Sequence, residues 1–503
     1  MKIRKMILIG FVCLTILHTN TFAQEPGLQD RAILEKRLEW FQDQKFGLLI
    51  EFGIWAAWGV TESWPLSMDR YQSSKSRIND RPNWKFNFDV YREAYWNLSK
   101  VFYPRHFNEN QWAEIAKDAG MKYICFYTKH HDGFCMYDTR LTDYKVTNPE
   151  CPYSDHPNPD ITERLSTAFR DRGFGVGMIY SYSDWHSPYY WKPGVPAPDR
   201  HMNYDIEKEP ERWQKFLDFY MGQIEELMTN YGKIDILWLD GGWDKQHMEV
   251  EKMLKMVWSH QPELIVGRGG IPGYGIETPE RKIPEKPLGE PWETCESISD
   301  FWSFVPYDNY RSTQELIYML VDIVSKGGNF LLSVPPMPDG RLTPPTVERL
   351  KEIGEWLQLN GEAIYGTRVY SMTNFMESVK GDAKVQDYNV NIHYTKKDKY
   401  VYAILLDKRQ TENDQMGLAT SVNVAYKYYP NESSTEENVL EVIHWINLKH
   451  ATPLPGSEVH LLGVEEPLEW ETGPEGTRIY IPYEVIQSPP CKYAYSFRIQ
   501  VSN

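Results

Sequence analysis

Cysteine is scarce in this sequence, which has only six among 503 residues. Five of them lie beyond position 100, none as part of a Cys-x-x-Cys pair: Cys125, Cys135, Cys151, Cys295 and Cys491. An odd number without that spacing argues against a disulfide framework and a structural zinc site, although one pair could still bridge in an oxidising compartment. The fold should therefore depend on a hydrophobic core, which a chain of this length can form.

Positive charge and long apolar runs are also lacking. The chain carries 54 Lys and Arg against 70 Asp and Glu, a net charge of −16, so nucleic acid and anionic membranes are poor partners. Beyond the start, no stretch approaches the ~18 continuous apolar residues that cross a bilayer, so no stable membrane insertion is expected. Residues 1–23 combine a basic end, an apolar stretch and small residues before Gln24. They predict a signal peptide and an exported protein, periplasmic or extracellular.

Three motifs of enzyme chemistry are absent: a glycine-rich dinucleotide fingerprint, a phosphate-binding loop and a nucleophilic serine elbow. Aromatic residues, in contrast, make up 14% of the chain and include 18 Trp and 33 Tyr. This number fits either a Trp-rich core or a surface that stacks on the flat apolar faces of sugars.

From about residue 35 to 365, amphipathic helices alternate with short apolar strands. One helix is predicted from Asn108 to Gly120, and the strand candidates are "FGLLIEFG", "YICFYT", "GVGMIYSYS", "IDILWLD", "LIVGRGG" and "NFLLSVPP". These strands are too apolar to have a wet face, which favours parallel strands covered on both sides. The pattern predicts an α/β fold, a (β/α)8-like TIM barrel over residues 24–366.

The pattern changes near residue 367. Short alternating segments such as "YNVNIHYT", "KYVYAILL" and "YAYSFRIQV" follow one another, separated by Lys, Asp, Gly and Pro. They predict a C-terminal antiparallel β-sandwich over residues 367–503. A role in buttressing the barrel is favoured over glycan binding, because an added sandwich must bury apolar surface somewhere.

Residues that end the predicted barrel strands are the candidates for chemistry, since active sites of such barrels lie at that edge. They are Glu51, His130, His131, Asp132, Tyr180, Asp184, Trp185, Asp240 and Arg268. Carboxylates act on glycosidic bonds, imidazole and guanidinium groups bind hydroxyls, and Trp stacks on sugars. Asp240 ends a strand before two glycines, as a nucleophile on a rigid element would, although capping of the next turn is the structural alternative.

Several segments carry a resemblance: "KFGLLIEFGIWAAWG", "YTKHHDGF", "LWLDG", "TPE" before "PWETC", and "SKGGNFLLSVPPMPDG". In order and rough spacing they resemble the retaining α-L-fucosidases, glycoside hydrolase family 29, over roughly residues 35–365. The resemblance implies a catalytic (β/α)8-like domain with a C-terminal β-sandwich and no cofactor. It also implies release of terminal α-L-fucose from an oligosaccharide or glycoconjugate by double displacement.

Roles for single residues follow from the resemblance. Asp240 takes the nucleophile position, and Glu280 is the first choice for the acid/base, with Glu293 second and Glu277 third. The side chains expected to contact the sugar are Glu51, Trp64, His130, His131, Tyr180, Trp238 and Arg268. A metal held by the two histidines is disfavoured, because adjacent histidines are expected to diverge and no third ligand has fitting spacing.

One position departs from the family in its chemistry. The family usually reads Phe-Ile-His-Trp-Gly where this chain has "LIEFG", so Glu51 replaces a sugar-binding histidine. An ionised glutamate only accepts hydrogen bonds and adds negative charge near Asp240. The expected consequences are a changed hydroxyl preference, lower activity on plain fucosides, or pairing of Glu51 with a cation such as Arg268.

Three functions remain open at this point. The first is an exported exo-α-L-fucosidase, and the second is a carbohydrate-binding protein on a catalytically impaired scaffold. The third is the same enzyme acting on another L-galacto-configured sugar, such as L-galactose. A homo-oligomer is compatible with all three.

Overall fold

The computed structural model describes residues 28–68, 88–380, 389–406, 418, 421–429 and 438–502. The predicted signal peptide at residues 1–23 lies outside these ranges. Within them, no helix is both long and apolar enough to cross a membrane.

Parallel strands form the first sheet. Among the described residues it has seven of them, in the spatial order β5-β4-β3-β2-β1-β7-β6. In chain order these are β1 (Phe46–Ile50), β2 (Tyr123–Lys129), β3 (Gly175–Ser181), β4 (Ile236–Asp240), β5 (Ile265–Val266), β6 (Trp292–Ser297) and β7 (Gly328–Val334). The helices that accompany them are α1 (Arg31–Gln44), α2 (Phe88–Trp96), α3 (Glu109–Asp118), α4 (Ile161–Arg170), α5 (Pro210–Asn230), α6 (Val250–His260), α7 (Thr313–Ser325) and α8 (Pro344–Asn360).

An irregular segment closes the barrel between β5 and β6. Residues 275–280 bridge to Val266 of β5 on one side and to Trp292 and Cys295 of β6 on the other, all in parallel orientation. Backbone hydrogen bonds support both sides, from Ile276 N to Val266 O at 3.1 Å and from Glu293 N to Glu277 O at 2.9 Å. Segment 275–280 therefore occupies the eighth strand position, and the predicted (β/α)8-like barrel is confirmed.

Alternation along the strands decides which side chains face the barrel interior. One buried cluster joins the inward residues of neighbouring strands, among them Leu49, Tyr123, Cys125, Ile179, Ile236, Trp238, Cys295 and Leu331. The residues between them, such as Leu48, Tyr180 and Leu239, belong instead to the cluster shared with the surrounding helices. Glu51, Ser181 and Asp240 continue the inward series at the carboxyl ends of β1, β3 and β4.

The C-terminal region is a sandwich of two antiparallel sheets. The larger has the order β14-β17-β11-β10-β8, with β9 also paired to β10, and the smaller has the order β12-β13-β16-β15. Its elements are β8 (Arg368–Val369), β9 (Met376–Lys380), β10 (Asn389–Lys397), β11 (Tyr400–Leu406), β12 (Asn423–Tyr429), β13 (Asn438–Leu448), β14 (Val459–Leu461), β15 (Trp470–Gly473), β16 (Gly476–Ile481), α9 (Tyr483–Gln487) and β17 (Ala494–Gln500). The predicted sandwich is confirmed; its stated bounds stay a prediction.

Strand β11 joins the two parts of the molecule. Val401, Ala403 and Leu405 face the core between the two sheets, whereas the alternate residues Tyr402, Ile404 and Leu406 lie in the same cluster as the barrel core. Polar contacts add to this junction: Trp356 Nε1 on α8 donates to Ala494 O at 2.9 Å. The sandwich thus buries one face against the barrel, as a buttress does.

Replacing Trp356 by Phe tests this junction. Trp356 is 2% exposed, and the variant would remove the indole donor from the carbonyl of Ala494, which would keep only the contact from Cys491 Sγ at 3.2 Å. We expect the free energy of unfolding to fall by about 0.5–1.5 kcal/mol, the net contribution of one lost hydrogen bond. Urea unfolding followed by circular dichroism measures it. Tyr307→Phe, at a fully exposed ring, is the control and should not change the midpoint; an equal effect of both variants would contradict the contact's importance.

Candidate active site

A cavity of about 340 Å³ opens at the carboxyl ends of the barrel strands, a size that suits a small-molecule ligand. It is lined by acids, arginines and aromatic rings from most of the strand ends and their loops: Leu49, Glu51, Glu62, Trp64, Tyr127, His130, Arg200, Trp238, Asp240, Gly241, Gly242, Trp243, Arg268, Glu280, Cys295 and Trp302. Most of the side chains that the sequence predicts to contact a sugar thus meet in one place.

Asp240 is the last residue of β4 and faces this cavity. Its Oδ2 lies 3.1 Å from His131 Nε2 and accepts a hydrogen bond from Ser181 Oγ at 3.2 Å. Its Oδ1 lies 3.7 Å from Arg268 Nη1. Gly241 makes this arrangement feasible, because its φ is +73° and a Cβ there would come within 2.3 Å of His131 Cε1. The carboxylate is therefore held by one oxygen, and the other points toward the cavity side occupied by Arg268.

Asp240 is ionised although it is only 7% exposed. Burial has the largest effect and by itself would raise the pKa of Asp240. The hydrogen bond from His131 and the positive charges around the carboxylate, including Arg268, outweigh burial and hold the pKa well below its usual range. A carboxylate that stays charged in a closed site can act as a nucleophile.

The two adjacent histidines differ in position. His130 lines the cavity, and its Nδ1 lies 2.5 Å from Ser63 Oγ. Burial, then the charges of His131 and Lys129, lower the pKa of His130 well below its usual value, so this ring is neutral. His131 lies behind Asp240, with its Nδ1 2.6 Å from Ser183 Oγ. Its Nε2 faces the carboxylate at 3.1 Å, so His131 orients Asp240 instead of lining the cavity.

The expectation that these histidines diverge is wrong. Their ring centroids are 4.6 Å apart, and ligand atoms of His130, His131 and Asp240 lie within 4.8 Å of one another. The set has the chemistry of a metal site. However, Ser63, Ser183 and the His131–Asp240 contact already engage these side chains, so a metal ion would have to displace them.

Glu293 lies beneath the cavity. Its carboxylate accepts hydrogen bonds from Tyr123 OH at 2.8 Å and from Trp238 Nε1 at 2.9 Å. Burial raises the pKa of Glu293 to about 7, although these two donors lower it. Glu293 and Cys295 are successive inward-facing residues of β6, and Cys295 lines the cavity whereas Glu293 does not. Glu293 therefore lies too deep in the barrel to reach a leaving group. This corrects its candidacy as acid/base: it fixes the Trp238 ring instead.

Tyr180 is also displaced from its predicted role. It is an outward residue of β3, and its hydroxyl donates to Gln223 Oε1 on α5 at 2.7 Å. Lys129 Nζ lies 4.4 Å from the centre of its ring. The inward neighbour Ser181 reaches Asp240 in its place, so the expected sugar contact of Tyr180 is corrected.

Arg268 links the nucleophile candidate to the first choice for acid/base. Its Nη1 lies 2.6 Å from Glu280 Oε2 as well as 3.7 Å from Asp240 Oδ1, and its guanidinium carbon lies 4.4 Å from the centre of the Trp238 ring. Glu280 ends segment 275–280, and its side chain is 43% exposed. It thus stands at the solvent side of the cavity, opposite the buried end. Glu277, the third choice, does not line the cavity.

Glu51 behaves differently from the expectation for an ionised group. Burial is the largest influence on it, followed by the charges of Glu62 and Asp240, and together they raise the pKa of Glu51 well above its usual range. This shift favours the protonated form of Glu51, which can donate a hydrogen bond. Among the described residues, Arg268 pairs with Glu280 and Asp240 and not with Glu51, so the predicted ion pair is wrong.

Aromatic rings form the rim of the cavity. The ring of Trp64 lies 5.2 Å from that of His131 and 6.0 Å from that of Trp243. Arg200 stacks on both indoles, at 5.6 Å from the centre of Trp64 and 5.3 Å from Trp243. Flat indole faces beside hydrogen-bonding groups suit a sugar ring.

Sequence reasoning missed several lining residues, among them Glu62, Tyr127, Arg200 and Trp243. Tyr127 had a signal, since it continues the inward alternation of Tyr123 and Cys125. Glu62 and Arg200 lie in loops and Trp243 lies in a short 3-10 helix, where no periodic pattern shows which way a side chain points.

Two family models match the chain. The model described as Alpha-L-fucosidase matches residues 17–362, and the model described as Alpha-L-fucosidase C-terminal domain matches residues 386–500. The first range covers well over half of the chain, so the resemblance stated from the sequence is confirmed.

Relatives are similar over almost their full length. The tissue alpha-L-fucosidase of Homo sapiens is 26% identical over 483 residues, which cover 92% of this chain and 88% of the relative. The plasma alpha-L-fucosidase of Homo sapiens is 26% identical over 484 residues, which cover 92% of this chain and 89% of that protein.

Solved structures give the same picture. Alpha-L-fucosidase isoenzyme 1 from Paenibacillus thiaminolyticus superposes with a TM-score of 0.69 at 26% identity, covering 94% of this chain and 100% of that one. The Thermotoga maritima alpha-fucosidase in complex with fucose gives a TM-score of 0.68 at 24% identity over 93% of this chain and 98% of that one. At 24% identity, the similarity to the Thermotoga maritima structure shows a shared fold.

The raised pKa of Glu62 predicts how the free energy of unfolding depends on pH. Burial raises its pKa from 4.5 to about 7 in the folded protein. Because the folded state then binds more protons than the unfolded state, the free energy of unfolding falls as pH rises from ~4.5 through ~7. In Glu62→Gln this contribution is absent, so the variant should lose less stability than the wild type between pH 5 and 8, by on the order of 3 kcal/mol.

Urea unfolding at both pH values measures the difference. Glu355→Gln, an exposed carboxyl on α8, serves as the control and should follow the wild type. If Glu62→Gln follows the wild type as well, Glu62 titrates normally and this view of its environment fails.

Proposed function

This chain belongs to the alpha-L-fucosidase family and is a glycoside hydrolase; on that premise we propose that it is an exported, retaining exo-glycosidase. Its substrate would be a glycan ending in α-L-fucose or a closely related L-galacto-configured sugar. The observation that carries the proposal is the ionised Asp240, which faces a sugar-sized cavity together with Glu280. The presence of both carboxyl groups in one cavity supports catalysis over sugar binding alone.

In the first step, Asp240 Oδ1 attacks the anomeric carbon as the glycosidic bond breaks. His131 and Ser181 hold Oδ2, so Oδ1 is the oxygen available for the new bond. Glu280 gives its proton to the departing oxygen, and the leaving alcohol diffuses away through the open side of the cavity. The product is a glycosyl ester on Asp240.

In the second step, water replaces the leaving alcohol. Glu280, now a carboxylate, takes a proton from this water, whose oxygen attacks the anomeric carbon and releases Asp240. Two inversions give net retention of configuration. Retaining glycosidases hold their two carboxyl groups about 5–5.5 Å apart, and the shared contact with Arg268 Nη1 is compatible with such a separation.

Arg268 stabilises the negative charge that changes during this reaction, and His130 is placed to bind the sugar. Asp240 loses its negative charge when the ester forms and regains it on hydrolysis. Arg268 lies beside both carboxyl groups and stabilises whichever is charged, while the neutral His130 is placed to bind a sugar hydroxyl.

Export is part of the proposal and is supported by the basic, apolar and small-residue pattern of residues 1–23. Fractionation of cells that express the full chain, with and without residues 1–23, tests it. Recovery of the full chain inside the cell with an intact N-terminus would contradict export.

Asp240→Ala tests the nucleophile. With an aryl α-L-fucoside and an aryl α-L-galactoside as substrates, we expect kcat to fall about 10³-fold or more, because the variant lacks the carboxylate that attacks the anomeric carbon. The wild type should release the α-anomer first, as followed by NMR. Asp205→Asn, at an exposed ion pair with Lys208, is the control. Unchanged turnover in Asp240→Ala, or initial release of the β-anomer by the wild type, would sink the mechanism.

Glu280→Gln tests the acid/base. Protonation matters most for a poor leaving group, so hydrolysis of an alkyl α-L-fucoside should fall about 10²–10⁴-fold. A 2,4-dinitrophenyl α-L-fucoside should form the ester with far less loss. Glu293→Gln is the comparison: since Glu293 acts through Trp238, it should affect both substrates alike. Equal losses for the two leaving groups in Glu280→Gln would assign the proton to another residue.

A further inference from the structure

Arg281 follows the acid/base candidate Glu280 directly in the chain and takes no part in the mechanism above. Glu280 lines the cavity, but its side chain is 43% exposed and it ends an irregular segment instead of a regular strand. A long side chain in such a place loses rotamer freedom when it is held in one geometry. Holding the Glu280 carboxyl group beside the departing oxygen therefore requires support from the residues around it.

Support from the cavity side comes from Arg268. Its Nη1 donates to Glu280 Oε2 at 2.6 Å, and its Nη2 donates to the backbone oxygen of Thr278 at 3.4 Å. One guanidinium group thus contacts both the carboxylate and the backbone that precedes it. The backbone that follows Glu280 needs a separate anchor, because a shift at that end would move the carboxyl group as well.

The backbone of Arg281 provides part of this second anchor, on the side of β6. Glu280 forms a parallel bridge with Cys295, and Arg281 N donates to Cys295 O at 3.0 Å. The φ of Arg281 is +50°, in the left-handed region that non-glycine residues seldom adopt. The chain therefore changes direction directly after Glu280, and a backbone conformation of this kind persists only when its surroundings maintain it.

The guanidinium group of Arg281 makes contacts that maintain this turn. Its central carbon lies 4.4 Å from the centre of the Trp302 ring, and its Nη2 donates to Asp300 O at 3.0 Å. Its Nη1 lies 3.8 Å from Oε1 of the buried Glu296, which Arg311 Nη2 approaches more closely, at 3.2 Å. These three contacts of Arg281 lie on β6 or in the loop after it, so its side chain and its backbone are attached to the same part of the barrel.

Trp302 connects this anchor to the barrel core. Its ring packs against the buried cluster of inward-facing strand residues and lines the cavity together with Glu280. Planar stacking on a ring combined with a directed hydrogen bond suits arginine, and the compact ammonium group of lysine cannot reproduce it. The Trp302 ring therefore fixes Arg281 relative to the core.

We propose that Arg281 is a positioning residue that holds Glu280 in place for proton transfer. The inference rests on the proposed function, because it takes Glu280 as the acid/base. Arg268 contacts the carboxylate and Arg281 fixes the backbone after it, so Glu280 can give up and regain its proton without moving away from the departing oxygen. Since a displacement of about 1 Å can cost about 10²-fold in rate, loss of this anchor should affect the step that needs the proton.

Arg281→Gly and Arg281→Lys test the anchor. Glycine adopts a positive φ freely, so the first variant permits the turn and removes the side chain, whereas the second keeps the charge and removes the planar stacking. For both variants we expect kcat/KM for an alkyl α-L-fucoside to fall about 10- to 100-fold, and kcat/KM for a 2,4-dinitrophenyl α-L-fucoside to change less than about threefold.

Arg478→Lys is the matched control. Arg478 stacks on Trp445 at 5.1 Å from the ring centre and pairs with Glu471 at 3.2 Å, as Arg281 stacks on Trp302 near Glu296, but it belongs to β16 of the sandwich. This variant should leave kcat/KM for both fucosides unchanged.

A double-mutant cycle with Glu280→Gln shows whether Arg281 acts through Glu280. If it does, Arg281→Gly should cause no further loss in the Glu280→Gln background, because the proton that Arg281 helps to place is already absent. A merely structural role would instead lower the turnover of both substrates and would add to the loss in Glu280→Gln. Thermal unfolding followed by circular dichroism accompanies each variant, and if Arg281→Gly fails to fold, Arg281→Lys carries the same cycle.

The outcomes separate this inference from the proposed function. If Glu280→Gln loses activity selectively on the alkyl fucoside while both Arg281 variants behave as the wild type, the anchor is refuted and the function stands. Equal losses on both substrates, additive losses in the cycle, or full activity of Arg281→Lys alone refute the anchor as well. If Glu280→Gln shows no selectivity, or if the wild type hydrolyses no α-L-fucoside, the acid/base assignment fails and the anchor fails with it.

Discussion

A buried carboxylate that must stay ionised is the constraint on which the site depends. Asp240 sits at the end of a strand inside the barrel, where burial alone would neutralise it. His131 and Arg268 contribute to reversing that effect. The His131 ring has its own support, because Ser183 contacts its Nδ1 and Gly241 leaves room for it. The histidine pair therefore has divided roles. One ring serves the nucleophile and the other faces the ligand, which explains why two adjacent histidines end one strand.

The irregular eighth position of the barrel has a chemical role of its own. A regular strand at residues 275–280 would have been held on both sides along its whole length, whereas this segment makes only isolated bridges to β5 and β6. It nevertheless ends at the level of the cavity, and so it presents Glu280 beside Arg268 at the solvent side. Barrel closure and placement of the second carboxyl group are thus achieved by the same six residues.

The sequence predicted the architecture well because apolar alternation is a strong signal. The helix predicted from Asn108 to Gly120 is observed as α3 (Glu109–Asp118), and the strand motifs around Leu49, Tyr123, Ile179 and Ile236 all became barrel strands. Strand β6 was missed, because "WETCES" is too polar to look buried; its Glu293 is buried only because Tyr123 and Trp238 donate to it.

The site was predicted less completely than the fold, for two physical reasons. Motif matching placed Tyr180 at the cavity, but the pleat turns it outward, so alternation counted from Ile179 would have selected Ser181 instead. Charge state depends on surroundings that are distant in the sequence: Glu51 looked like an anion, yet its neighbours Glu62 and Asp240 come from other loops and strands. Loop residues such as Glu62 and Arg200 carried no signal that could bring them to the cavity.

The shared face of β11 has a consequence for how this molecule folds. Because Tyr402, Ile404 and Leu406 complete the outer core of the barrel, the N-terminal part of the chain cannot bury all of its apolar surface before the last strands have been synthesised. The two halves should then unfold as one cooperative unit. A shortened chain that ends after α8 would expose an apolar patch that promotes aggregation. Such a fragment would aggregate through its exposed helices, whatever the state of its cavity.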